Sequence, residues 1–170
     1  MAVAIREACS ADDYAAFGRL VRQYVEWCRE RYADKPRLVE MAFGYQDLDR
    51  ELERLAASYG PPKGKTLLAV DADGAVQGCV AYRSLGDCVC EMKRMFVPAQ
   101  FHGQGLGRRL CEALIETATA DGFTLMRLDT ASGMDEAIAM YRSQGFAPCA
   151  PYIDYPDRLT AMILFMDRKL

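Results

Sequence analysis

Apolar residues follow a helical spacing in the first third of the chain. Residues 12–31 carry apolar positions at successive steps of 3, 1, 3, 1 and 3, which form one face of an α-helix. Ser10 precedes the acidic first turn of this segment and is its predicted N-cap. A short β-prone segment, residues 3–7, comes before the helix, and Pro36 interrupts the pattern after it. A second helical stripe covers residues 46–59 and ends at a Gly-Pro-Pro sequence.

The middle of the chain has the pattern of a strand meander. Residues 66–71 are predicted to form a strand, and the Asp73-Gly74 pair is typical of a hairpin turn. The returning strand is predicted over residues 75–83, and a third strand follows over residues 88–97.

The last third of the chain combines helices and strands. Its predicted elements are a helix over residues 104–120 that Gly122 ends, a strand over 124–130, a helix opened by a Ser132-x-x-Asp135 capping box and ending near residue 145, and a strand over 159–168. A further short strand near Phe146 would make seven. This order predicts an α/β (α+β) fold, in which helices cover both faces of a mixed, mostly antiparallel sheet. The sequence shows no linker or repeat, so a single domain over residues 1–170 is expected.

Composition narrows the classes of function. The 170 residues are 51% hydrophobic and 26% charged, with a net charge of −3, which fits a globular protein and argues against binding to nucleic acid. His102 is the only histidine, so a Ser–His–Asp hydrolase or a histidine-built metal site is not expected. Seven cysteines without a CxxC pair, together with no leader peptide and no long apolar run, predict a reduced cytoplasmic protein that does not enter a membrane.

A glycine-rich turn is the most informative segment. Gly103, Gly105 and Gly107 alternate between the end of a predicted strand and the start of a predicted helix. Glycines let the backbone approach a ligand closely, and the unpaired N–H groups of a helix start attract anions. Arg108 and Arg109 add positive charge, so the turn is a candidate cradle for a phosphate or pyrophosphate. It lacks the Gly-Lys-Ser/Thr of a Walker loop and the G-x-G-x-x-G of a dinucleotide fold.

Two motifs together resemble the GNAT acetyltransferase superfamily. The strand end Val97-Pro98, followed by His102-Gly-x-Gly-x-Gly107, resembles its motif A. The downstream sequence A-I-A-M-Y-R-S-Q-G-F, which contains Tyr141, resembles its motif B. Two positions depart from the usual pattern: His102 stands where relatives carry Arg or Gln, and Met134 stands where an Asn is common.

The resemblance implies transfer of an acetyl group from acetyl-CoA to an amine, on a small molecule or a peptide. It also implies the GNAT fold, with six to seven strands. The residues it assigns to acetyl-CoA are Met95, Phe96 and Val97 at the strand end and Gly103, Gln104, Gly105, Leu106, Gly107 and Arg108 in the turn. Tyr141 is the position that donates a hydrogen bond or a proton to the leaving thiolate, although a packing role is the alternative.

The sequence leaves the identity of the general base open. It is one of two carboxylates, or no side chain acts as the base. Strand alternation predicts that Glu91, Lys93, Met95 and Val97 share one face, which makes Glu91 the first candidate base. Asp129 on the next strand is the second candidate, and water alone is the third possibility. A carboxylate needs a raised pKa or a water relay to deprotonate an ammonium. Seven thiols without an activating His favour buried, unreactive cysteines over an acetyl-cysteine intermediate.

The acceptor is not identified by any motif. The residues available for its site are Tyr24, Trp27, Arg31, Tyr32, Tyr45, Tyr152, Tyr155 and Arg158, although packing is the favoured role for any single one of them. The mild acidity of the chain slightly favours a cationic substrate.

Two other functions remain open: a non-catalytic acyl-CoA-binding module and a nucleotide-binding regulator. A homodimer is also left open, as dimers are common in the superfamily.

Overall fold

A computed structural model describes residues 3–170 and contains one mixed sheet of seven strands. Their order across the sheet is β1-β2-β3-β4-β5-β7-β6, and only β4 and β5 run parallel. The strands are β1 (Ala4–Glu7), β2 (Gly64–Val70), β3 (Val76–Gly86), β4 (Val89–Phe96), β5 (Leu125–Ala131), β6 (Ala147–Pro148) and β7 (Ile163–Lys169). The predicted mixed, mostly antiparallel sheet is confirmed.

Helices cover both faces of the sheet, as predicted. The helices are α1 (Ala11–Arg31), α2 (Pro36–Tyr45), α3 (Leu48–Glu53), α4 (Leu55–Tyr59), α5 (Leu106–Ala120), α6 (Asp135–Ser143) and α7 (Asp157–Thr160). The first face is covered by α5 and α6, and its core contains Leu110, Leu114 and Tyr141. The second face is covered by α1 and α4, and its core contains Phe17 and Tyr59. No helix within residues 3–170 is long and apolar enough to cross a membrane.

Two predicted helix ends are confirmed in detail. The Ser10 side chain accepts a hydrogen bond from the Asp13 N–H at the start of α1, and the Asp13 carboxylate accepts one from the Ser10 N–H. This reciprocal capping box satisfies two otherwise unpaired donors. Gly122 follows the end of α5 with φ of 88°, a conformation that glycine adopts readily.

Four local predictions were wrong. Pro36 does not break the helical structure but begins α2, because a proline lacks an N–H that the first turn does not need. The stripe over residues 46–59 forms the two short helices α3 and α4. Ser132 does not cap α6, whose N-cap is Met134. The final strand begins only at Ile163, because residues 157–160 form α7.

A β-bulge in β4 overturns the predicted face of Glu91. The pairing of β3 with β4 shifts between Cys79↔Phe96 and Ala81↔Lys93, and Arg94 has a φ of 56°. One extra residue at this point reverses the alternation of every later side chain. Met95 therefore packs on the first face, whereas Lys93 contacts carboxylates on the second.

Candidate functional site

The two parallel strands at the centre of the sheet separate after three residue pairs. Val89–Glu91 pairs with Leu125–Arg127, and beyond these residues β4 and β5 have no pairing with each other. A cavity of about 800 Å³ opens in this gap. Its lining includes Tyr141 on the first face and Tyr24 on the second, so it connects the two sides of the sheet.

The glycine turn forms one end of the cavity. Gly103 and Gly105 have φ of 77° and 70°, and an added Cβ would meet no other heavy atom within 4 Å at either residue. The backbone N–H groups of residues 103–108 have no hydrogen-bond acceptor among residues 3–170. Six consecutive free donors at the start of α5 make an anion site, as the sequence predicts. The predicted residues Met95, Phe96 and Val97 also line the cavity.

His102 and Met134, the two residues that depart from the family motifs, lie in different places, one at the glycine turn and one at the start of α6. His102 turns back toward β4, where its Nε2 donates a hydrogen bond to the Val97 carbonyl at 2.7 Å. It thereby joins the glycine turn to the strand end. Met134 is buried at the start of α6 and lines the cavity with an apolar surface where an amide would offer hydrogen bonds.

Tyr141 lies between the glycine turn and the core of the first face. Its ring packs edge-on against Phe146 with centroids 5.9 Å apart, and its hydroxyl lies 3.8 Å from the Met95 sulfur, which is a weak acceptor. Burial raises the pKa of Tyr141 above its usual value. The hydroxyl is therefore well placed to donate a hydrogen bond, and proton transfer from it is less favourable than from an exposed tyrosine.

Asp129 and Lys93 form an ion pair across the gap between the strands. Lys93 Nζ lies 2.5 Å from Asp129 Oδ1, Tyr155 donates to Asp129 Oδ2 at 3.0 Å, and both charged side chains are less than a tenth exposed. Burial acts to raise the pKa of Asp129, but Lys93 and Tyr155 outweigh it, so that this pKa lies below its usual value. Asp129 is therefore an ionised carboxylate that lines the cavity.

Glu91 lies behind this pair and does not line the cavity. Its carboxylate is fully buried and contacts Arg83 at 2.7 Å, Lys93 at 3.2 Å and the Tyr152 hydroxyl at 3.1 Å. The shared face that made it the first candidate base does not exist, because the bulge at Arg94 lies between Glu91 and the strand end. Its role as a base stays a prediction without that geometric support.

The candidate acceptor residues divide into two groups. Tyr24, Trp27, Arg31 and Tyr32 line the cavity on the second face. The other four are outside the lining: Tyr152 and Tyr155 bond the carboxylates of Glu91 and Asp129, the Tyr45 hydroxyl bonds the Asp154 carbonyl, and Arg158 lies in α7.

The cysteines provide no activated thiol in the core. All seven are free, and burial raises the pKa of Cys90 and Cys111 to about 12. Cys28 lines the cavity, and burial raises its pKa to about 11. These three thiols stay protonated near neutral pH. The predicted burial holds for Cys28, Cys79, Cys90 and Cys111, whereas Cys9 and Cys88 are exposed and Cys149 is half-buried.

Several cavity residues were missed by the sequence reasoning, among them the polar residues Lys93 and Gln46. Lys93 had a detectable signal, because charged residues inside a strand that is central to the sheet must find partners. Gln46 had no such signal in the sequence, because its position depends on how the loop after α2 folds over the sheet. Its Nε2 donates to the Tyr155 hydroxyl at 3.3 Å, and its buried Oε1 has no partner among the described residues.

Comparisons with known proteins identify the family and the fold. Residues 36–146 match the Acetyltransferase (GNAT) family. An uncharacterized N-acetyltransferase of Schizosaccharomyces pombe is 37% identical over 118 residues, which are 68% of this chain and 72% of that protein. The crystal structure of an acetyltransferase from Streptococcus agalactiae superposes with a TM-score of 0.75 at 22% identity, covering 99% of this chain and 98% of that one. The N-acetyltransferase PaiA from Thermoplasma acidophilum, solved with coenzyme A, gives a TM-score of 0.70 at 17% identity, over the full length of both chains.

Proposed function

The chain belongs to the GNAT acetyltransferase family, and we propose that it moves an acetyl group from acetyl-CoA to a primary amine by direct attack of the amine on the thioester. Acetyl-CoA is the usual co-substrate of the family, and the residues present fit it. The free N–H groups of residues 103–108 suit the pyrophosphate. The unpaired edge of β4 offers backbone hydrogen bonds to the amides of the pantetheine arm.

The end of β4 and Tyr141 prepare the thioester for attack. When bound, acetyl-CoA supplies a thioester whose carbonyl carbon is the electrophile. A backbone N–H near Val97 is placed to polarise the carbonyl oxygen as a single-donor oxyanion hole. The Tyr141 hydroxyl, whose neighbour in the structure is the Met95 sulfur, donates a hydrogen bond to the sulfur as negative charge develops there.

Asp129 is the carboxylate that meets the amine. In the reaction the amine nitrogen forms a bond to the carbonyl carbon, the carbon–sulfur bond breaks, and the nitrogen loses a proton. Because its pKa is lowered, Asp129 orients the amine by accepting its hydrogen bonds, and the proton leaves to water. Glu91 acts through Lys93 by holding the ammonium of that lysine against Asp129.

The observation that carries the proposal is the single cavity in the gap between β4 and β5, which joins the anion site to the buried carboxylate. The test measures release of free CoA thiol with a panel of amines and peptides, beside calorimetric binding of CoA. Turnover with any amine supports the proposal. Tight CoA binding without turnover on any acceptor would contradict it and favour the binding module, and equal competition by ATP would favour a nucleotide regulator.

We expect Tyr141→Phe to lower kcat about tenfold and to leave the affinity for CoA within about twofold. The hydroxyl acts on charge that develops during the reaction, so its loss affects the transition state more than the bound ground state. Steady-state kinetics and calorimetry measure the two quantities.

Tyr82→Phe is the matched control, because Tyr82 is a buried tyrosine of the same core that bonds Asp121 and does not line the cavity. It is expected to keep its kcat. A parallel loss of kcat and CoA affinity in Tyr141→Phe would instead indicate that the residue only packs.

A further inference from the structure

We propose that the acceptor is a monoamine whose remainder is a large apolar group, and that polyamines and aminoglycosides are poor substrates. The inference rests on the proposed acetyl transfer and concerns the part of the cavity on the second face. This part, named here the acceptor chamber, is bounded by α1, α2, α7 and the start of β7.

The wall of the acceptor chamber along α1 is aromatic. Tyr24 is stacked on Trp27 with centroids 6.2 Å apart, Phe43 meets Tyr24 edge-on at 5.9 Å, and Phe96 lies 5.6 Å from Tyr24. Another part of the lining is aliphatic and includes Leu38 and Leu159. Such a lining gains free energy by removing apolar surface from water and gives little to a hydroxyl-rich or ammonium-rich ligand.

The charges around the acceptor chamber are already paired with each other. Arg94 forms two hydrogen bonds with Glu51, at 2.6 and 2.9 Å, and Lys93 is held by Glu91 and Asp129. Among the described residues, the cavity lining contains two carboxylates. Asp129 is inside, and Glu136, 84% exposed and 3.3 Å from Arg31, is at the rim. A second ammonium on the acceptor would therefore be buried without a free carboxylate, which is unfavourable.

Gln46 supplies a buried acceptor that has no partner among the described residues, and the Tyr32 hydroxyl is a second such group in the cavity lining. The single hydroxyl hydrogen of Tyr155 goes to Asp129, so the Tyr155 oxygen accepts from Gln46 Nε2. This fixes the orientation of the amide and leaves the buried Oε1 of Gln46 without a partner. Gln46 is linked to Asp129 by hydrogen bonds through Tyr155. Its unpartnered carbonyl and the Asp129 carboxylate can therefore accept hydrogen bonds from the N–H groups of one amine.

The test uses pairs of amines that differ in one property. The first pair is n-hexylamine and 1,6-diaminohexane, which have the same chain length and differ by one ammonium. We expect kcat/KM for n-hexylamine to be at least tenfold higher. The second pair, 2-phenylethylamine and ethylamine, isolates the apolar group, and the aromatic amine is expected to be at least tenfold better. Spermidine and kanamycin complete the panel, and both are expected to be poor substrates.

A charge introduced into the acceptor chamber should move this preference. Ala42 lines the chamber on α2, and Ala42→Glu should lower the n-hexylamine to 1,6-diaminohexane ratio at least fivefold. Met41→Glu adds the same charge to the exposed side of that helix and should leave the ratio unchanged. CoA affinity, which depends on the other end of the cavity, checks that both variants fold.

The outcomes separate this inference from the proposed function. Turnover that is equal or better on diamines, spermidine or kanamycin overturns the inference alone, because acetyl transfer is then established. An unchanged ratio in Ala42→Glu also overturns it. A lack of turnover on every amine, with CoA bound, overturns both.

Discussion

Gly105→Glu is expected to weaken CoA binding at least about a hundredfold, which corresponds to about 3 kcal/mol. Gly105 is the N-cap of α5 and lies among six free N–H donors with a φ of 70°. A carboxylate at this position meets the positive end of the helix itself and repels the phosphates of the ligand. Isothermal titration calorimetry with CoA measures the loss directly.

Two controls separate charge from backbone strain. Gly105→Ala introduces only the strain of a left-handed alanine, about 1 kcal/mol, and is expected to cost less than tenfold in affinity. Gly74→Glu adds the same charge at a hairpin glycine with φ of 84° and equally open surroundings, and should leave CoA binding unchanged. If Gly105→Glu binds CoA as the parent protein does, the phosphate site lies elsewhere.

Lys93→Met is expected to lower the free energy of unfolding by about 3 kcal/mol. Removal of the ammonium leaves the carboxylates of Asp129 and Glu91 facing each other across a buried gap. A buried charge that loses its partner destabilises the fold by more than the intact pair stabilises it. The reason is that the partner replaced most of the hydration that the charge lost on burial. Chemical denaturation monitored by tryptophan fluorescence gives the difference.

Lys65→Met is the matched surface substitution. Lys65 also lies between two carboxylates, Asp121 at 2.8 Å and Glu7 at 3.9 Å, but about a quarter of its side chain is exposed. Its loss should cost about 0–1 kcal/mol. The double variant Lys93→Met/Asp129→Leu removes both charges and should recover most of the stability, even if the single variant folds poorly. Equal losses for Lys93→Met and Lys65→Met would mean that the buried pair carries no special energy.

The elements that the sequence predicts well are those defined by local chemistry. The N-cap at Ser10 and the stop at Gly122 need only their own neighbours, and both occur as expected. Helix α2 was missed because Pro36 has two local meanings, a break or a first turn, and tertiary packing decides between them. The same applies to Ser132, whose helix begins further along at Asp135.

The parts of the site that depend on backbone conformation could be predicted from the sequence. The parts that depend on the register of strand pairing could not. The glycine turn requires positive φ and close approach, and alternating glycines indicate both. The position of Glu91 depends on whether strand alternation continues to the end of β4. An arginine with φ of 56° has no sequence signature, so the bulge and the exclusion of Glu91 from the cavity could not be foreseen.

The gap in the sheet also bears on aggregation. From Met92 onward β4 has a free edge on its β5 side, and free strand edges recruit strands of other molecules. Here the edge carries a bulge at Arg94 and the inward-facing charge of Lys93, which are two features that prevent another strand from pairing in register. The bulge and the lysine that shape the cavity thus also make this open edge at the centre of the sheet a poor template for a further strand.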